Sequence, residues 1–190
     1  MTKNSDKKRE IIFEAILVSI AKYGLNAPMS KIVKESGIST GVFYNYFENK
    51  EKMIDELYRN LKYEFLEATL CDIDEKYTYY EQFRKIFINS VNYFIAHPNT
   101  LIFFWQFENA PHLVPQLEAI HIEKINIYVK FIESCIKDGV VKDLPLIIIS
   151  DLTIGASMQF AKNVINGIIA LDEDLIEDVV SASWDSIKKN

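Results

Sequence analysis

Residues 38–52, ISTGVFYNYFENKEK, carry four aromatic side chains within five positions, with only Asn45 between them. An amphipathic helix needs one apolar stripe, so rings all around its axis exceed what a small helical core requires. On a helical wheel Phe43 and Phe47 fall together and face a core. The remaining residues form an outward face that is small, hydroxylic and amide-bearing: Gly41, Val42, Tyr44 and Asn45, with Thr40 and Tyr46 at its flanks.

This outward face suits the edges of DNA bases. An Asn amide can bond adenine, Val and Thr methyl groups can meet thymine methyl groups, and Gly allows close approach of the backbone. Tyr hydroxyls, Lys ammonium groups and free N–H groups at a helix start bind phosphates instead. Lys50, in the first turn of the next helix, combines a cation with that helix's N-terminal dipole.

The helices that position this stretch can be read from apolar spacing. Residues 7–23 repeat apolar side chains at helical intervals, and Gly24 ends this first helix. Pro28 can take the first position of a second helix over residues 28–35, because its missing N–H is not needed there. Ser36 and Gly37 close that helix, and Ser39 caps a third that runs to residue 47. The pattern is that of a helix-turn-helix.

Six further helices are predicted, over residues 49–71, 77–96, 100–109, 113–137, 146–169 and 173–188. Gly (6) and Pro (5) are too scarce for the turns of an all-β or βαβ chain. The predicted fold is all-α with about nine helices. A DNA-binding domain over residues 1–50 is joined through the long fourth helix to a body, residues 51–190, for ligand binding and dimerisation.

The charge is unevenly distributed along the chain. Residues 1–50 carry eight Lys or Arg against five Asp or Glu, whereas residues 51–190 carry thirteen against twenty-two. This asymmetry indicates an anion-facing module on an acidic body. Cys71 and Cys135 have no paired spacing, and the apolar residues 144–160 contain Asp151 and are too few to span a bilayer. We therefore expect a cytoplasmic protein without disulfides or membrane contact.

Residues 11–58 resemble the DNA-binding domain of TetR-type transcriptional repressors. The resemblance rests on Ile32, Gly37, Tyr44, Phe47 and Lys50 at family spacing, after a first helix that ends in Lys-Tyr-Gly. It implies base-facing positions at Thr40, Gly41, Val42 and Asn45, DNA phosphate contacts at Tyr44 and Lys50, and a positioning helix that begins with Ser30 and Lys31. We also expect Ser30, Lys31 and Tyr46 to contact phosphates. Two departures stand out, since Ala27 replaces the Thr that usually caps the second helix and Thr40 replaces a usual Lys or Arg.

The same resemblance implies an effector pocket in the body. Helix 6 reads TLIFFWQFEN, and its rings are typical of an apolar cavity that takes a small apolar or aromatic effector. A bundle core filled by the same rings is the other interpretation. The predicted pocket residues are Tyr58, Leu61, Phe65, Tyr93, Phe103, Phe104, Trp105, Phe107, Asn126, Tyr128, Gln159 and Phe160; Gln106 and Asn163 are further polar candidates.

The last two helices carry more apolar surface than one side needs. The family resemblance implies a homodimer through these helices, whose two reading heads would lie about 34 Å apart on a palindromic operator. The predicted interface residues are Ile148, Gly155, Leu175, Ile176, Val179, Val180, Trp184 and Ile187.

Two other functions fit parts of the sequence. A helical small-molecule binding protein without DNA binding would use the N-terminal module for protein contact. A carboxylate-bridged metalloenzyme would use the Glu-x-x-His motif at Glu118 and His121, but the second such motif and the two further Glu are missing. With no nucleophile motif or phosphate-binding loop, we expect no enzyme, no cofactor and no metal. The favoured function is a ligand-responsive transcriptional repressor.

Overall fold

The computed structural model describes residues 3–35, 37, 39–71, 73, 74, 76–108, 110 and 124–189. Within these residues the chain forms nine helices, which confirms the predicted all-α class. The eighth combines two α-helical segments with a π-helical turn between them. The helices are α1 (Lys3–Tyr23), α2 (Met29–Glu35), α3 (Thr40–Tyr46), α4 (Lys50–Thr69), α5 (Tyr79–Ala96), α6 (Pro98–Glu108), α7 (Ile125–Lys137), α8 (Leu146–Ser150, Asp151–Gly155 and Ala156–Ile165) and α9 (Glu173–Ile187).

The described residues fall into two compact units. The first unit takes its residues from 1–62 and 99–121, and the second from 63–98 and 122–190. Helix α6 therefore belongs, from Asn99 onward, to the unit that contains the N-terminal helices. The sequence placed this helix in a separate body beginning at residue 51, a boundary that remains a prediction.

The core of the first unit is built from the predicted apolar stripes. Ile16 and Ile20 of α1 and Ile32 of α2 are fully buried, as are Phe43, Met53 and Leu57. Phe103 and Phe107 of α6 are fully buried as well. These side chains meet because each lies at helical spacing on one face of its element.

The second unit is organised around α5. Its first turn is closed by a capping box, in which Thr78 accepts from the Glu81 N–H and Glu81 accepts from the Thr78 N–H. Trp184 of α9 packs on Phe83 with ring centroids 5.1 Å apart. A single antiparallel bridge between Val141 and Lys188 fastens the end of α9 to the segment after α7. The capping box explains why α5 begins two residues later than predicted.

Helix α8 contains an unusual turn, because residues Asp151–Gly155 are π-helical. A π turn is one residue wider than an α turn, because its backbone hydrogen bonds join residues five apart and not four. Thr153 Oγ1 donates to the Ile149 carbonyl at 2.8 Å, and Ser183 Oγ of α9 donates to the Leu152 carbonyl at 2.6 Å. Side-chain hydroxyls on two helices therefore stabilise this turn.

One part of the predicted dimer surface needs correction. Ile176, Val180, Trp184 and Ile187 are buried within the subunit, so this stripe of α9 is core and is not available to a partner. The other predicted stripe points away, since Leu175 is exposed and Val179 is partly exposed. When a helix has two apolar stripes, its sequence alone does not tell which stripe packs in the core of the subunit and which is left for a partner.

Two predictions fall on residues outside the described part of the chain. They are the first half of the predicted seventh helix, residues 113–123, and the Glu118–His121 motif. Among the residues that the structure does describe, no three His, Cys, Asp or Glu side chains are grouped to hold a metal ion. None of the described helices has both the length and the apolar character needed to cross a bilayer.

Candidate nucleic-acid interface

The start of α3 is fixed by the residues predicted to fix it. Gly37 has φ of +70°, a backbone conformation that glycine adopts without steric cost. Ser39 then takes extended backbone angles, and its Oγ accepts from the Val42 N–H at 3.3 Å. This satisfies an N–H group that has no partner within the helix. The turn at Gly37 and the cap at Ser39 together set the direction in which α3 leaves the turn.

Helix α3 has the two faces that the wheel predicted. Phe43 and Phe47 are 0% and 1% exposed, and Phe47 contacts Phe13 of α1 with centroids 5.6 Å apart. On the other side Tyr44 is 57% exposed, and its ring stands edge-on to Phe43 at 5.2 Å. The buried Phe43 ring therefore restricts the orientation of the exposed Tyr44 ring.

The outward face of α3 is open to a ligand. Thr40, Gly41 and Asn45 are exposed, and Val42 is 40% exposed. A Cβ built on Gly41 would meet no side chain or other element within 4 Å. These four side chains carry no charge, so they present hydrogen-bonding groups and methyl groups where base edges could be read. Tyr46, at the flank, is partly buried beside Phe47.

Exposed cations and a hydroxyl lie on α2 and at the end of α1. Ser30 and Lys31 are exposed, and Lys31 Nζ lies 4.0 Å from the centroid of the Tyr23 ring. Lys22 Nζ lies 4.9 Å from the same ring. Sequence reasoning did not select Lys22, although the Lys-Tyr-Gly ending of α1 contains it. One ring thus has two ammonium groups beside it.

Lys50 has a partner that the sequence did not reveal. Its Nζ donates to the Ala27 carbonyl at 2.8 Å, and partial burial lowers its pKa. Ala27 lies directly before Pro28, whose carbonyl accepts from the amide N–H groups of Lys31 and Ile32 in α2. Lys50 therefore ties the start of α4 to the entry of α2. An ammonium group has three N–H donors, so the predicted phosphate contact is compatible with this bond and stays a prediction.

Gln106 of α6 also holds the turn that precedes α2. Its Oε1 accepts from the Leu25 N–H at 3.0 Å. Gly24, directly before, has φ of +83°, so the chain turns sharply there. The sequence makes Gln106 a candidate to orient a ligand, whereas in the structure its side-chain carbonyl oxygen is bonded to the backbone. The position of α2 thus depends on one side chain from α4 and one from α6.

An ion pair joins α1 and α4 in the same unit. Arg9 of α1 pairs with Glu56 of α4, and its guanidinium lies 5.5 Å from the Phe13 ring and 5.9 Å from the Phe47 ring. The pair therefore covers the buried side of α3. Neither residue was predicted to matter, because a charged residue on an amphipathic helix is usually only solvated.

The predicted effector-pocket residues are divided between the two units. In the first unit Tyr58 stacks on Phe107 at 4.4 Å and meets Phe104 edge-on at 5.6 Å. In the second unit Phe65 stacks on Phe94 at 4.9 Å. Leu61, Phe103, Tyr93, Tyr128 and Phe160 are buried, whereas Trp105, Asn126 and Gln159 are exposed. Within each unit many of these rings pack on one another.

Comparison with known proteins agrees with this geometry. A family model described as bacterial regulatory proteins of the tetR family matches residues 12–57. A second, described as the tetracyclin repressor-like C-terminal domain, matches residues 78–188. An uncharacterized HTH-type transcriptional regulator of Haemophilus influenzae is 25% identical over 181 residues, which cover 95% of each chain.

Solved structures show the same fold. A putative TetR-family regulator from Vibrio parahaemolyticus has a TM-score of 0.78 at 26% identity and covers 96% of this chain and 99% of its own. A TetR-family regulator from Haemophilus influenzae has a TM-score of 0.81 at 24% identity and covers 99% and 100%. With its C-terminal model spanning more than half of its residues, the chain belongs to the TetR family of DNA-binding transcriptional regulators, which are not enzymes.

Proposed function

We propose that the protein is a homodimeric repressor that binds a palindromic operator and is released by a small, largely apolar effector. The observation that carries the proposal is the uncharged, exposed face of α3 above the buried Phe43 and Phe47. Thr40, Gly41, Val42 and Asn45 would contact base edges, whereas Ser30, Lys31, Tyr44, Tyr46 and Lys50 would contact phosphates. A function without DNA binding is set aside by the family match to residues 12–57.

Exposed apolar side chains of the second unit support the homodimer. Ile147 is 66% exposed, and Ile148 and Leu152 of α8 and Leu175 of α9 are also exposed. The Ser183–Leu152 hydrogen bond joins the two helices, so these residues lie on adjacent elements. An apolar surface of this kind is stabilised when a second copy covers it. A two-fold axis there would present two copies of α3 to a palindrome.

Helix α4 supports a route from effector to DNA. Its first residue, Lys50, bonds the Ala27 carbonyl beside α2, and its Phe65 packs on Phe94 of α5. A helix is a stiff element, so a shift at one end reaches the other. We propose that effector binding shifts α4 and changes the separation of the two recognition helices, so that they no longer fit successive major grooves.

Selection from a pool of random duplex DNA tests the proposal. Purified protein is titrated against the pool at two salt concentrations, and the bound fraction is sequenced. We expect a palindrome to be enriched and the affinity to fall steeply as salt rises, because phosphate contacts release counterions. Enrichment of a single asymmetric site would contradict the two-fold arrangement. Apolar compounds that release the selected duplex would then identify the effector class.

A further inference from the structure

A cleft of about 580 Å³ lies in the second unit, and none of the residues that line it is among those predicted for the effector. One side is the segment that leads into α5 together with its first turn, and the other is one face of α7. Ile127, Lys130, Phe131 and Ser134 recur at helical spacing on that face. The volume falls within the roughly 300–1,000 Å³ of small-molecule sites.

Aromatic rings line the cleft, and contacts inside the protein hold them. Tyr79 and Phe131 lie 6.2 Å apart with planes tilted by 55°. The Tyr79 hydroxyl donates to Asp138 Oδ2 at 2.6 Å. Tyr77 has Lys85 Nζ 4.1 Å from its ring centroid, and the buried Gln82 donates from Nε2 to the Tyr77 carbonyl at 2.9 Å. The rings are therefore in position before any ligand arrives, which lowers the entropic cost of binding.

The charge at the cleft favours an anion. Lys130 lines it and forms no ion pair within 4 Å with any residue in the described part of the chain. Two carboxylates on the α5 side of the cleft already have partners, and Glu133, three residues from Lys130 on α7, does not line the cleft. Asp74 pairs with Lys76 at 2.8 Å, and Glu81 accepts from the N–H and hydroxyl of Thr78. The ammonium of Lys130 is thus left to attract a ligand, and a cationic ligand would be repelled.

We propose that this cleft binds a small aromatic carboxylate. The ring of the ligand would pack against Tyr77, Tyr79 and Phe131, and its carboxylate would accept a charge-assisted hydrogen bond from Lys130. The site shares no residue with the predicted effector pocket. The inference goes beyond the regulator function and does not depend on which operator or effector the protein uses.

Calorimetric titration with 1-naphthoate tests the charge. Lys130→Gln removes the ammonium group, and we expect it to weaken naphthoate binding about tenfold or more, the effect of losing one hydrogen bond to a charged group. Lys137→Gln is the matched control, because Lys137 is an exposed lysine on the same helix that does not line the cleft. The neutral analogue 1-naphthylmethanol should bind the wild type and Lys130→Gln equally.

A second pair of variants tests the position of the ligand. Ile127 is 47% exposed and lines the cleft, so Ile127→Glu adds a negative charge to its wall without removing core volume. It should abolish naphthoate binding, whereas Ile125→Glu, at an exposed isoleucine of the same helix that does not line the cleft, should retain most of it. The proposal is overturned if the wild type does not bind naphthoate at millimolar concentration, or if Lys130→Gln or Ile127→Glu binds it as tightly as the wild type.

Discussion

Gln106 Oε1 accepts a hydrogen bond of 3.0 Å from the amide N–H of Leu25, 81 residues earlier in the chain. Gln106→Leu would leave this part-buried N–H without its acceptor, so we expect the free energy of unfolding to fall by about 1 kcal/mol. Amide hydrogen exchange at Leu25 should accelerate in the same variant. Gln106→Glu keeps an oxygen acceptor and should retain the protection. Unchanged exchange at Leu25 in Gln106→Leu would show that the bond does not hold the turn.

Lys50 combines a bond inside the protein with a predicted bond to DNA, and salt dependence separates the two. Lys50→Met should lower the thermal midpoint, because the Ala27 carbonyl loses its donor. If Lys50 also binds a phosphate, the slope of log affinity against log salt should decrease in magnitude by about 1. A lower affinity with an unchanged slope would mean that Lys50 acts on DNA only by positioning α2.

Tyr44 and Asn45 are adjacent on α3 and are predicted to have different roles. Tyr44→Phe keeps the edge-on contact with Phe43 and removes one hydroxyl, so affinity should fall to a similar extent for all duplex sequences. Asn45→Ala should instead change the preferred base at one position of each half-site, at about 1–3 kcal/mol. Repeating the DNA selection with each variant measures both effects. A changed base preference for Tyr44→Phe would reverse the assignment.

A charge placed on the exposed apolar surface of the second unit should prevent dimerisation. Ile148→Lys and Leu175→Lys alter residues that are already exposed in the subunit, so folding should be preserved. Light scattering should then give the mass of a monomer where the wild type gives a dimer. Ile11→Lys, at an exposed isoleucine of the first unit, is the control and should remain dimeric. Dimeric Ile148→Lys and Leu175→Lys variants would place the interface elsewhere.

The ion pair between Arg84 and Glu177 makes a small part of the stability dependent on pH. Arg84 Nε donates to Glu177 Oε2 at 2.8 Å, and the guanidinium lowers the pKa of this carboxyl. The pair therefore stabilises the fold above the unfolded-state pKa of about 4.3, and the contribution is lost as pH falls through the lower folded pKa. Both side chains are about two-fifths exposed, so we expect only about 0.5 kcal/mol.

Urea unfolding of Glu177→Gln checks this expectation. The variant should be less stable than the wild type at pH 7, and the difference should shrink at pH 3 as Glu177 takes up a proton. Asp178→Asn, at an exposed carboxylate on the same helix, should show a smaller difference at pH 7. A difference for Glu177→Gln that persists at pH 3 would mean that packing, and not charge, is responsible.

Local patterns predicted much of the first unit. Ser39 as a cap, Gly37 after the end of the second helix and the opposite faces of Phe43 and Tyr44 all follow from neighbours within a few positions. Such features depend on helix geometry, which the sequence expresses as spacing. The all-α class followed from the same spacing, together with the scarcity of turn residues.

Long-range polar contacts could not be predicted in this way. A glutamine on an amphipathic helix gives no sign that its oxygen bonds an amide 81 residues away, as Gln106 does. Lys50 resembled a phosphate ligand, and its bond to the Ala27 carbonyl depends on how α4 meets the turn before α2. The two stripes of α9 likewise look alike until packing shows that Ile176 and Val180 face the core.

The π-helical turn at Asp151–Gly155 makes α8 sensitive to length. Each residue of an α-helix rotates the chain by about 100°, so deleting one residue from this turn would rotate the preceding isoleucines by that angle. Ile149, now fully buried, would leave the core, and a different side chain would enter it. Substitutions on the exposed face should be tolerated far better than insertions or deletions. A chimera that exchanges this helix with a relative should therefore take residues 146–165 as one block.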